Sequence, residues 1–137
     1  MRKIVMAVGL SCLMALGGPT PAAGGPAVQL SVAPNPAAVG QRVVHTIDVA
    51  VSGRLEVWVS ASGFAQPRPG TLPPGTWVQT CCPSQTAGTP AWYFRSSGSV
   101  APSRYRFGAD ARRVGSYLST ASVGFASAGT WIRVTQG

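Results

Sequence analysis

Gln41-Arg42-Val43-Val44-His45-Thr46-Ile47-Asp48-Val49-Ala50-Val51-Ser52-Gly53-Arg54-Leu55-Glu56-Val57-Trp58-Val59-Ser60 is the stretch that decides the fold. Val43, Ile47, Val49 and Val51 share one face of its first half; Leu55, Val57 and Val59 share one face of its second. Side chains alternate across a strand, so a period of two means a half-buried strand and not a helix. The β-branched residues suit the same conformation. Ser52-Gly53 is the turn between the two. By parity His45 points inward with Val43 and Ile47, while Trp58 points outward. Asp48 and Glu56 also point outward, as diagonal neighbours if Val51 and Leu55 oppose each other across the turn.

The same signals recur along the chain. Strands are predicted over 28–33, 76–81, 91–96, 103–108, 116–125 and 130–135. Tyr105 and Phe107 point one way and Arg104 and Arg106 the other; Tyr117, Ala121, Val123 and Phe125 share a side. Pro34-Asn35-Pro36 interrupts the first strand region, since proline fixes φ and lacks a donor. A Pro/Gly-rich connection runs over 63–75, either functional or mobile, and a second loop over 82–90. No segment has helical spacing and no repeat is visible. About seven to eight short strands with Gly/Pro/Ser turns predict an all-β antiparallel sandwich.

The chain of 137 residues opens with Arg2 and Lys3, an apolar run over 4–16 and a small-residue exit through Pro21-Ala22-Ala23-Gly24. That order describes a secretory signal peptide over 1–23, with cleavage between Ala22 and Gly24. The run is short of the roughly 20 residues that span a bilayer. The expectation is a secreted or extracytoplasmic domain over 24–137, not inserted in the membrane after cleavage. Lipidation of Cys12 is the alternative. Removing Arg2 and Lys3 from the whole-chain +8 leaves +6. The remaining strong bases are all arginines, against Asp48, Glu56 and Asp110 alone. Such an excess suits acidic glycans or other polyanions, or serves solubility only.

Ser31-Val32-Ala33-Pro34-Asn35-Pro36-Ala37-Ala38-Val39-Gly40-Gln41-Arg42-Val43-Val44 resembles the first two strands of secreted bacterial immunoglobulin-like domains. Val114-Gly115-Ser116-Tyr117 resembles the approach to their sixth strand, where a tyrosine hydroxyl ties a corner to backbone. Ala128-Gly129-Thr130-Trp131-Ile132-Arg133-Val134 is similar to their last strand. The resemblance implies an immunoglobulin-like β-sandwich serving adhesion, spacing or assembly. Two departures stand out. Ser119 occupies the place of a disulfide cysteine, so no inter-sheet bridge is expected. Trp58 is outward, not the usual core tryptophan.

Chemistry-bearing residues are few. His45 is the only histidine, and Asp48, three residues on, lies on the opposite face, so the two form no dyad. Two carboxylates on a flat sheet lack the cleft of a glycosidase. Six to eight oxygens for calcium are not supplied, and no phosphate-cradling or metal-ligand motif is present. The reading is a non-enzymatic protein without cofactor or metal.

Cys81-Cys82 is the unusual pair of the mature region. Export favours oxidation, yet adjacent Cα atoms stand closer than a disulfide ordinarily requires. A vicinal bridge, interchain pairing and free thiols are the competing readings. If strands alternate in direction, Ser52-Gly53, the 82–90 loop and the 108–115 loop share one end. Arg112 and Arg113 then sit near the cysteines as a binding rim. Trp58, Trp77, Trp92, Tyr93 and Trp131 offer a second candidate, a sugar-stacking platform, with Trp58 near Asp48 its best element. Against this, a small sandwich also needs large core side chains.

The reading is an exported structural or adhesive domain with protein or glycan partners at the cell surface. Self-assembly is possible and no specific nucleic acid is expected. The alternative is a carbohydrate- or polyanion-binding module using outward aromatics and arginines. A third class, a secreted inhibitor, would present Cys81-Cys82-Pro83 or the 67–74 segment.

Overall fold

A computed structural model describes residues 26–136. The signal peptide expected over 1–23, and Cys12 within it, lie outside the described residues. Among the described residues nine strands occur in chain order: β1 (Val28–Ala33), β2 (Ala37–Ala38), β3 (Arg42–Val49), β4 (Gly53–Ser60), β5 (Gly75–Thr80), β6 (Ala91–Val100), β7 (Ser103–Asp110), β8 (Gly115–Val123) and β9 (Ala126–Thr135). One 3-10 turn, Ser84–Thr86, precedes β6. The described residues contain no α-helix. They form two sheets, ordered β1-β3-β7 and β2-β9-β8-β4-β6-β5. Every pairing is antiparallel except β2 with β9. The all-β sandwich is as expected, with one strand more than the count of seven to eight.

The extra strand is the two-residue β2, too short to leave a periodic signal. Pro34 and Pro36 cannot donate to a ladder, so β1 cannot continue beside β3. The chain crosses instead to the other sheet and pairs Ala37 and Ala38 with Val134 and Thr135. Asn35 completes the crossing. Its side-chain amide donates to the Trp131 carbonyl at 2.9 Å and accepts from the Arg133 N–H at 3.0 Å. A side chain thus serves β9 where a strand would otherwise lie.

Ser52-Gly53 corrects a second expectation. It is not a hairpin turn: β3 pairs with β1 and β7, while β4 pairs with β6 and β8. The chain changes sheets there. Asp48 and Glu56 are therefore on opposite outer faces and are not diagonal neighbours. The turn also lies at the opposite end of the sandwich from the 81–90 and 111–114 loops, because β4 runs away from it toward them.

The inward residues of both sheets meet as one core. Val43, Ile47, Leu55, Val57, Val59, Phe64, Phe107, Ile132 and Val134 are fully or almost fully buried. Val51 and Phe125, read as core-facing, are exposed because each lies just beyond its strand end. The Pro/Gly-rich connection is ordered against β7. Phe64 bridges Ala111 and Arg68 bridges Gly108. Thr71 N–H donates to the Arg106 carbonyl, and Arg106 N–H to Thr71 Oγ1, each at 2.8 Å. That segment covers an edge that would otherwise present open backbone groups. Among the described residues no helix is long and apolar enough to cross a membrane.

Tyr117 ties the approach to β8, its hydroxyl donating to the Val114 carbonyl at 3.0 Å. Its ring lies against Gly63, where a Cβ would stand 2.5 Å from ring carbons. Only glycine admits that approach.

Candidate functional site

His45 and Ser119 face each other across the core, one from each sheet, both fully buried. His45 Nε2 and Ser119 Oγ are 3.1 Å apart, and Nδ1 lies 3.3 Å from the Val43 carbonyl. A carbonyl only accepts, so Nδ1 carries the hydrogen and Ser119 Oγ–H donates to Nε2. The imidazole stacks on Phe107, with centroids 4.5 Å apart at 17°, and meets Phe64 edge-on. Burial drives its pKa down to about 4, opposed by the Val43 hydrogen bond. His45 is thus a neutral, hydrogen-bonded link between the two sheets. Asp48 is outside, with Arg104 Nε at 2.6 Å. Sequence parity placed Ser119 inward but gave no sign that it would meet His45, 74 residues away.

The outward residues of the six-stranded sheet form the second constellation. Register places Gly129, Thr120, Trp58, Tyr93 and Val78 in one row across β9, β8, β4, β6 and β5. Trp131 and Leu118 oppose each other two residues further along, and Arg133 opposes Ser116 beyond them. On the other side of the row, Glu56 opposes Arg95. Trp58 and Tyr93 pack together, with centroids 5.2 Å apart and planes at 33°. Tyr93 Oη donates to Glu56 Oε2 at 2.7 Å, which fixes the phenol diagonally across the sheet. Arg95 Nε lies 3.9 Å from the same oxygen. Desolvation first, then the bond to Glu56 and its charge, raises the Tyr93 pKa to about 12, against the opposing pull of Arg95 and Arg54. Trp131 is 56% exposed and Val78 47%.

The predicted aromatic platform therefore divides. Trp58, Tyr93 and Trp131 are outward. Trp77 is inward on Phe94 and Phe107, with centroids 5.3 Å from each. Trp92 shares its inward parity and donates its indole N–H to the Phe64 carbonyl at 3.0 Å. Trp58 is not near Asp48, since they occupy opposite outer faces.

Every carboxylate has an arginine beside it: Asp48 with Arg104, Glu56 with Arg95, Asp110 with Arg42 and Arg68. Among the described residues Arg54, Arg106, Arg112, Arg113 and Arg133 have no carboxylate partner. Arg112 and Arg113 are exposed on the loop after β7, at the same end as the 81–90 loop but without a hydrogen bond or ion pair to it. Cys81 and Cys82 are exposed there and joined to each other. A shallow groove beside this end is lined by Val114, Ser116, Arg133 and Thr135.

Fold and faces together define a two-sheet, all-β sandwich protein with one aromatic, basic outer face. No protein-family model, curated protein or solved structure matches the chain.

Proposed function

We propose that this chain is an exported, non-catalytic immunoglobulin-like domain that acts as an adhesive or structural module at or beyond the cell surface. The observation that carries the reading is the outer face of the six-stranded sheet, where Trp58, Tyr93 and Trp131 are half-buried or exposed beside arginines. Large aromatics left on one face of a small domain mark a contact surface. The Tyr117 corner and the inward His45–Ser119 pair, which takes the place of an inter-sheet disulfide, support the immunoglobulin-like assignment. The N-terminal sequence, charged, then apolar, then small, supports export. Partners are protein or glycan. The alternative of a carbohydrate- or polyanion-binding module draws on the same face.

The test is adhesion of the purified 24–137 domain to envelope preparations, read by surface plasmon resonance. Saturable binding to envelopes, absent with protein-coated control surfaces, is expected. Equal retention on both, or none on either, would reject the reading.

A further inference from the structure

Two aromatic–arginine pairs stand on the same outer face. On β6, Tyr93 and Arg95 are two residues apart and share the outward parity; on β9, Trp131 and Arg133 do the same. Between them lie Trp58, Thr120 and Gly129, the last without a side chain. The order Arg133, Trp131, Gly129/Thr120, Trp58, Tyr93, Arg95 runs along β9, then across one row of four strands, then along β6. Trp58 and Trp131 lie two strands and two residues apart, roughly 12 Å on a flat sheet. A low floor thus separates two raised aromatic walls.

Charge narrows the occupant. The face carries Arg54, Arg95 and Arg133 against the single carboxylate of Glu56, already engaged by Tyr93 and Arg95. Arg54 reaches only the Ser97 carbonyl, at 3.5 Å. The guanidiniums at both ends call for an anion at both ends, and carboxylate suits their planar fork. The aromatic faces between call for flat apolar surface, and the half-buried Ser122 beside them for a hydroxyl-rich edge. The outer face of β1-β3-β7 makes the contrast: it carries two carboxylates, Asp48 and Asp110, and presents no tryptophan.

We infer that this line of side chains is a binding track for a carboxylated polysaccharide, a chain of pyranose units bearing uronic acid groups. Pyranose faces stack on Trp58, Tyr93 and Trp131, while Arg54, Arg95 and Arg133 hold the carboxylates. The inference rests on the adhesive reading and names the chemistry of its partner.

The test is calorimetric titration of the 24–137 domain with polygalacturonate oligomers at low and moderate salt, beside cellohexaose and polyphosphate. Polygalacturonate is expected to bind best, more weakly as salt rises. W58A and W131A should each weaken it about tenfold, W58F and W131Y should recover most of that, and R133A should lower the salt dependence. R106A, on the other sheet, should bind as the parent does. Near-UV circular dichroism confirms that each variant is folded. No binding of polygalacturonate, equal binding of cellohexaose, or polyphosphate bound as tightly with W58A and W131A unaffected would each overturn the track. Envelope adhesion that persists undiminished in W58A/W131A would sink the track and leave the adhesive reading standing. Polygalacturonate binding without envelope adhesion would do the reverse.

Discussion

At the scale of single residues the decisive pair is His45 and Ser119. Folded His45 takes a proton only near pH 4, unfolded His45 near 6.5. Between those values the unfolded chain holds more protons, so this contribution to stability is complete above pH 6.5 and is lost as pH falls toward 4. Its size is about 3 kcal/mol. Urea melts of the parent should therefore lose more stability between pH 7 and pH 4 than those of H45F, whose core keeps a ring there. Parallel pH profiles for the two proteins would refute the assignment. S119A leaves Nε2 buried without a donor and should cost about 1–3 kcal/mol at pH 7. The inward parity of both residues was legible in the sequence. Their meeting was not, because it requires the stacking of two sheets whose order no local pattern encodes.

At the scale of elements, strand positions were largely readable. Val28–Ala33 was expected with both its ends, and the other seven expected strands differ by a few residues, some running past the alternating core and others stopping short of the expected end. Strand pairing was not readable. Ser52-Gly53 is short enough for a hairpin, yet β3 and β4 join different sheets. Pro34-Asn35-Pro36 was visible as a break, but Asn35 as a surrogate strand for β9 was not. N35A should cost about 1–2 kcal/mol by removing two backbone-directed bonds. It should also speed amide exchange at Arg133, while β3 amides stay protected. The aromatic strand β6 shows how parity decides cost. W77A empties a site between Phe94 and Phe107 and should lose about 3–5 kcal/mol. W58A removes an outer-face ring and should lose much less, which thermal melts of the two variants will compare.

At the scale of the whole molecule, Cys81–Cys82 closes a ring within one exposed loop and ties no two elements together. Cross-link stabilisation grows with the length of loop closed, and here that length is minimal. Reduction should change the melting free energy by less than about 1 kcal/mol. Intact mass should show a monomer that gains two hydrogens on reduction; a doubled mass that collapses on reduction would show interchain pairing instead.

The sequence by itself determined the all-β class, because period-two alternation permits no other element. It also determined the basic charge and the inward or outward sense of most side chains. Tertiary structure alone decided which outward residues share a face. Trp58 and Asp48, ten residues apart, were parted by the change of sheet at Ser52-Gly53. Trp58 and Trp131 were joined because β4 and β9 both flank β8. Parity is a local property of backbone geometry, whereas neighbourhood across a sheet depends on strand order, which the packing of the complete core selects.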